Sequence, residues 1–296
     1  MKMSMELPHF ERAMVIVAHP DDPEFFVGGT VAQLAKQGTD VAYLILTDGS
    51  KGSDDRSTST RELIRTRREE QRRAAERLGV SKVIFFDYAD GELHNSPDVQ
   101  RDVVRELRRF QPDLVLTNDP QRYYSLSGYI NHSDHRTAGV VTLDAVYPAA
   151  RNFRYFPALL EEGFEPHYVR EVWLANPIES DWEVDTTEVR EQRLAAILAH
   201  VSQVGTGERI RERIDQALAD EGRLVEKFKR IELGIPPTPE EKAETPKDYA
   251  EEKLEAGLDL VHHETPPSQR EVTAEPSRRH AEEKLEAGRG LEGGEE

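Results

Sequence analysis

The chain has 296 residues, of which 32% are charged, and a formal net charge of −18 from 39 Lys and Arg against 57 Asp and Glu. With no cysteine, disulfides, thiolate metal sites, iron–sulfur clusters and cysteine nucleophiles are excluded. So acidic a surface repels phosphate backbones and anionic lipid, and no apolar run approaches the ~20 residues of a membrane span, so neither a nucleic-acid partner nor membrane insertion is expected.

Residues 1–12 carry Glu6, His9 and Glu11 and lack the continuous apolar stretch of a signal peptide, which leads to a cytoplasmic expectation. Ala13–Ala18 is an unbroken apolar run ending at His19-Pro20, the pattern of a strand buried on both faces. Gly28-Gly29-Thr30 leads into a helix over 31–37 stopped by Gly38, and Val41–Leu46 is a second apolar strand ending at Thr47-Asp48-Gly49. The polar stretch 50–59 is a loop, and Thr60–Leu78 a long amphipathic helix closed by Gly79. A strand over 82–86, a helix over 97–110 with proline in its first turn, a strand over 113–117 and a helix over 137–147 complete the alternation. This order predicts an α/β fold, a doubly wound, mostly parallel sheet with a Rossmann-like N-terminal half. An extra strand over 168–174 and helices over 186–201 and 208–231 follow, and the aromatic, proline-rich stretch 152–166 reads as a packed loop or lid.

Half of the acidic excess lies in residues 240–296, with 17 acidic against 8 basic residues and a single aromatic, Tyr249. That composition cannot bury enough apolar surface to offset its ordering entropy. The segment also contains a perfect repeat, AEEKLEAG, at 250–257 and 281–288. The predicted organisation is one domain over 1–239 and an acidic, largely disordered tail over 240–296 with transient helix in the two copies.

In an open α/β sheet the ligand site lies at the carboxyl ends of the strands. The first strand ends in His19-Pro20-Asp21-Asp22-Pro23-Glu24. A dinucleotide fold places glycines there, and two or three carboxylates would repel a pyrophosphate, so a nicotinamide cofactor is rejected. Imidazole with carboxylate on a rigid turn suits a divalent metal instead. A second cluster, Asn131-His132-Ser133-Asp134-His135-Arg136, follows the fourth strand. If both clusters share one sheet edge, His19, Asp22 and His135 form a three-ligand N/O site with a position left for water, the pattern of catalytic zinc. Surface hydrogen-bonded pairs and ordinary Asp-Asp-Pro turn chemistry are the alternatives.

The residues that carry these clusters resemble the LmbE-like or PIG-L metal-dependent de-N-acetylases. The likeness runs from Ala18-His19-Pro20-Asp21-Asp22 and Gly28-Gly29-Thr30 through Thr47-Asp48-Gly49, the Arg67–Glu70 helix, Leu78-Gly79-Val80 and Pro112–Val115 to His132-Ser133-Asp134-His135, covering about residues 12–150. Ser133 stands where the family usually has proline. The resemblance implies Zn²⁺, with Fe²⁺ or another divalent metal as alternatives, held by His19, Asp22 and His135. It implies Asp21 as general base and a protonated His132, oriented by Asp134, as oxyanion donor. The implied reaction removes an N-acetyl group from a small glucosamine-containing molecule such as an N-acetylated amino sugar.

Asp48, Arg67 and Tyr129 are candidate substrate contacts, with a turn cap, a solvated helix face and plain packing as their respective alternatives. Two other readings stay open: an amidase for a larger thiol–sugar conjugate, and a catalytically idle carbohydrate-binding relative. Self-association as a homo-oligomer is left open as well.

Overall fold

A computed structural model describes residues 7–124 and 128–234. The acidic segment 240–296, its repeat and the proposed domain boundary lie outside the described residues.

A seven-stranded sheet in the order β3-β2-β1-β4-β5-β7-β6 organises the chain. Strands β1 (Arg12–Val17), β2 (Asp40–Thr47), β3 (Lys82–Tyr88), β4 (Leu114–Asn118) and β5 (Glu171–Ala175) are parallel neighbours. Strands β6 (Trp182–Asp185) and β7 (Val225–Glu232) close one edge in antiparallel register. The order reverses on either side of β1, so its carboxyl end and that of β4 flank the crevice where ligands of such sheets bind.

The apolar run at β1 is divided between two cores. Ala13, Val15 and Val17 pack on the side of helices α1 (Asp22–Lys36) and α2 (Thr60–Leu78), with Leu34 and Leu78. Met14, Ile16 and Ala18 pack on the opposite side against α3 (Pro97–Phe110) and α4 (Ser133–Asp144), with Val103, Leu107 and Val141. A strand covered on both faces has no need of polar alternation, which explains its continuous hydrophobicity. The ends of α2 follow local chemistry: Ser59 Oγ accepts the Glu62 N–H at the start, and Gly79 turns left-handed at the end with φ 79°.

The predicted bounds of α2 and α3 match those observed. The C-terminal region differs. The predicted helix over 208–231 is a helix only over α8 (Glu208–Glu221); Gly222, at φ 71°, ends it, and β7 follows. In β7 the buried Glu226 and Phe228 alternate with exposed Lys227 and Lys229, and these charges hide the period-two pattern. The helix expected over 186–201 is broken into a short 3₁₀ turn, α6 (Arg190–Ile197) and the single turn α7 (Val201–Val204). Strand β6 has no counterpart among the predicted elements. The stretch 152–166 holds only the short helix α5 (Ala158–Glu161) amid turns. Among the described residues no helix is long and apolar enough to cross a membrane.

Candidate active site

Because β1 to β4 run parallel, the segments leaving their carboxyl ends meet on one side of the sheet. His19, Asp21 and Asp22 follow β1, Asp90 follows β3, and His132, Asp134 and His135 follow β4. They share a cleft of about 730 Å³ with Phe25, Phe26, Tyr129 and Arg213, except for Asp134, which is buried just behind it.

Three side chains converge there. His19 Nδ1 and His135 Nε2 are 3.2 Å apart, His135 Nε2 is 3.1 Å from one oxygen of Asp22, and His19 Nδ1 is 3.5 Å from the other. Four ligands on a tetrahedron with bonds of ~2.0–2.1 Å stand roughly 3.3–3.4 Å apart, so the two spacings that meet at His135 Nε2, 3.2 Å to His19 and 3.1 Å to Asp22, suit a zinc-sized cation. The tautomers suit it too. His135 Nδ1 lies 3.0 Å from the Asn131 side-chain oxygen and donates to it, which leaves the Nε2 lone pair for the cleft. His19 turns Nε2 to Asp90 at 3.1 Å and Asp134 at 3.4 Å, so Nδ1 is the free donor atom. Carboxylates or carbonyls behind each ligating imidazole are the usual support of a metal site. Two imidazole lone pairs facing each other repel unless a cation lies between them.

The electrostatics express the same demand. Burial opposes a charge on His19, yet Asp134, Asp22 and Asp90 outweigh it and hold its imidazole well above the ordinary value. Burial likewise opposes charge on Asp22, but His135 and His19 keep its carboxyl far below the usual range. Asp90 is held down to about 2: burial is overcome by His19, the Lys51 N–H and Arg67. A second grouping, His19 with His132 and Asp134, could also hold an ion. It would use the edge of His19 already facing Asp90, while Asp134 accepts the Gly91 N–H at 2.7 Å, so Asp134 reads as a support.

Asp21 is the N-cap of α1 and has φ 98°, a conformation rare for a side-chain-bearing residue. Its carboxyl lies 3.3 Å from Arg67. Burial raises that carboxyl to about 6 and Asp22 adds to the rise, while Arg67 opposes it.

His132 Nδ1 accepts the Asp134 backbone N–H at 3.2 Å, so the ring's proton resides on Nε2. Burial, then the neighbouring His19, lowers the His132 pKa. The expected arrangement, a protonated His132 oriented by the Asp134 carboxylate, is therefore replaced by a neutral ring held by a backbone amide, with the carboxylate turned to His19.

The candidate substrate contacts differ in fate. Arg67 lines the cleft but is buried, donating to the carbonyls of Gly49 at 2.9 Å and Pro20 at 2.6 Å, so it is not a solvated helix face. A Cβ on Gly52 would sit 2.3 Å from its guanidinium, so a side chain there would displace Arg67. Asp48 does not line the cleft; its Oδ1 accepts the N–H groups of Ser50 and Asp90 at 2.9 and 3.1 Å and shapes the loop that presents Asp90. Tyr129 stands exposed at the cleft mouth. Asp90 is not among the residues singled out from sequence, although an acid just past the third strand, on the sheet edge that carries the histidines, is a readable signal; Asn131 is named there only as part of the second cluster, without a role.

A family model described as GlcNAc-PI de-N-acetylase, PIG-L, matches residues 14–146. The diacetylchitobiose deacetylase of Thermococcus kodakarensis is 36% identical over 194 residues, 65% of this chain and 70% of the relative. The chain belongs to the PIG-L family. The solved structure of the family's N,N'-diacetylchitobiose deacetylase from Pyrococcus horikoshii, in complex with an inhibitor, aligns with a TM-score of 0.68 at 30% identity over 78% of this chain and 88% of that one. A 4-carboxy-2-hydroxymuconate hydratase from Pseudomonas putida aligns with a TM-score of 0.61 at 24% identity over 77% and 99% of the two chains, a likeness of fold alone. As a PIG-L member the chain is a hydrolase of the de-N-acetylase class, and its sheet-edge His/Asp group is a metal-binding candidate.

Proposed function

We propose that this protein hydrolyses the acetamide of an N-acetylated amino sugar, with zinc held by His19, Asp22 and His135. The observation that carries the reading is the convergence of the His19 Nδ1 and His135 Nε2 atoms with the Asp22 carboxylate, at contacts of 3.1–3.5 Å, on side chains that are held in place and face an open cleft. Bound there, zinc would lower the pKa of a water toward ~7 and polarise the acetyl carbonyl.

The chain's own groups do the rest. Asp21, with a carboxyl pKa of about 6, is poised at neutral pH to take the proton of the attacking water. As the water oxygen bonds to the acetyl carbon, the Nε2–H of His132 donates to the carbonyl oxygen on which negative charge develops. A neutral donor suffices for this role, and such donors contribute ~2.7–4 kcal/mol to rate in comparable sites. When the C–N bond breaks, Asp21 returns its proton to the departing amine, and acetate and free amino sugar result. Phe25, Phe26 and Tyr129 offer apolar faces to a sugar ring in a cleft whose size suits one or two rings. The likeness to the Thermococcus diacetylchitobiose deacetylase makes N,N'-diacetylchitobiose the first substrate to try.

The test is acetate release by purified protein from N-acetylglucosamine, N,N'-diacetylchitobiose and larger glucosaminyl conjugates, with and without chelator, alongside metal analysis. Chelator-sensitive acetate release is expected, restored best by zinc. Cleavage confined to larger amides would select the thiol–sugar amidase reading, and inactivity with every metal would overturn both.

A further inference from the structure

Beneath the cleft lies a buried polar chain that the chemistry above does not use. The Asp21 N–H donates to Gln71 Oε1 at 2.7 Å. The Gln71 amide nitrogen donates to both oxygens of Glu24, at 3.0 and 3.1 Å, and His200 Nε2 lies 3.0 Å from that carboxylate. Gln71, Glu24 and His200 are each 0% exposed. The carboxylate fixes which way the Gln71 amide points: nitrogen to Glu24, oxygen to Asp21.

Gln71 stands one helical turn after Arg67 on α2, on the same face. Arg67 donates to the Pro20 carbonyl at 2.6 Å. The two ends of the Pro20–Asp21 peptide are therefore gripped by two residues of one helix, and this is the peptide that enters the φ 98° conformation of Asp21. A residue in that region persists only where its surroundings over-determine it.

We infer that Gln71 is the positioning residue for Asp21, with Glu24 and His200 holding Gln71 in the required orientation. The inference rests on the reading of Asp21 as the base. Helices α1 and α2 and the segment after α6 then act together to aim one carboxylate at the water beside the metal ligands. A misplacement of about 1 Å costs on the order of 100-fold in rate, so the network acts on turnover, not on ligand supply.

The decisive variants are Gln71→Leu and the exchange Glu24→Gln/Gln71→Glu, made in the full-length metal-loaded protein. In the exchange, the new glutamine donates to the new glutamate and accepts from His200, and the glutamate still accepts the Asp21 N–H. Gln71→Leu is expected to lower kcat for N,N'-diacetylchitobiose roughly 10–100-fold with KM and bound zinc unchanged. It should also speed amide hydrogen exchange over residues 19–24. The exchange variant should recover most of both properties. Placed on Asp21→Asn, Gln71→Leu should lower the residual rate no further, because the residue it positions has already lost its function.

Equal losses from Gln71→Leu in the two backgrounds, or an exchange variant as impaired as Gln71→Leu, would overturn the inference. Wild-type protein that releases no acetate would refute the deacetylase reading alone. Amide exchange would still decide whether Gln71 holds the Asp21 peptide: unchanged protection in Gln71→Leu would show that it does not.

Discussion

The parallel strands β1–β4 and the region after β5 contribute to the site in different ways. Every candidate ligand and proton-transfer group comes from segments leaving β1, β3 and β4, and the family model ends at residue 146, just beyond them. The later region supplies clamps. Glu226 on β7 accepts the N–H groups of Gly29 and Thr30 at 2.8 and 2.7 Å, in the middle of α1. Arg193 on α6 donates to the carbonyls of Glu24 and Phe25 in the same helix and pairs with Glu226 at 3.3 Å. His200 and Ser202 reach Glu24 and Glu70. Chemistry is thus delivered by one region, and the helix that carries it is held by the other. Substitutions in the first should remove function from a stable protein, whereas those at the Glu226–Arg193 clamp of the second should remove stability.

The largest effect is expected at His19, where both ring edges are engaged. His19→Ala should lose bound metal and turnover to background while far-UV circular dichroism is kept, as metal analysis of the purified variant would show. Asp21→Asn comes next. It should keep metal and lose turnover by ~10²–10⁴-fold, the usual share of a general base. Near-wild-type turnover in Asp21→Asn would move the base elsewhere.

Legibility in the sequence divides along the same line. The motif at 19–22 and the cluster at 131–136 can be read because each is local: a strand end, a turn and a helix start put their side chains together whatever the rest of the chain does. The alternation of apolar strands and capped helices is local as well, and the bounds of α2 and α3 follow from their cap residues. From sequence Arg67 is a candidate substrate contact with a solvated helix face as the alternative, because α2 is rich in charge; only the tertiary approach of Gly49 and Gly52 buries it. Glu226 and Arg230 make β7 resemble a helix because their partners, the α1 amides and Glu171, are distant in sequence. A buried charge whose partner lies 197 residues away leaves no spacing to read.

The clamps themselves offer a sharper break. Glu226→Ala removes the carboxylate that accepts two mid-helix N–H groups and pairs with the Arg193 guanidinium, so it should cost about 3 kcal/mol. For a folded region of this size that corresponds to a loss of roughly 6–12 °C in thermal midpoint. The fraction that remains folded should still bind metal. If Glu226→Ala left the midpoint unchanged but abolished metal binding, the proposed division between the two regions would fail.

The smallest effect is expected where the parallel and antiparallel parts join. Glu171 on β5 receives two bonds from Arg230 on β7, both 2.8 Å, and one from Trp173 Nε1, also 2.8 Å. Burial works against its charge, but Arg230 and Trp173 prevail and hold its carboxyl below the ordinary 4.5. A folded-state value below the unfolded one means that the pair stabilises fully above pH 4.5, and that the contribution is lost as pH falls through the folded value. Glu171→Gln should therefore lower the thermal midpoint at pH 7 by an amount equivalent to about 1.5 kcal/mol. Its difference from wild type should shrink as the buffer is taken below pH 4.5, because acid removes from the wild type what the substitution has already removed. A difference that stays constant across that range would mean that Glu171 acts through packing instead of charge, and the join between the two regions would then not be electrostatic.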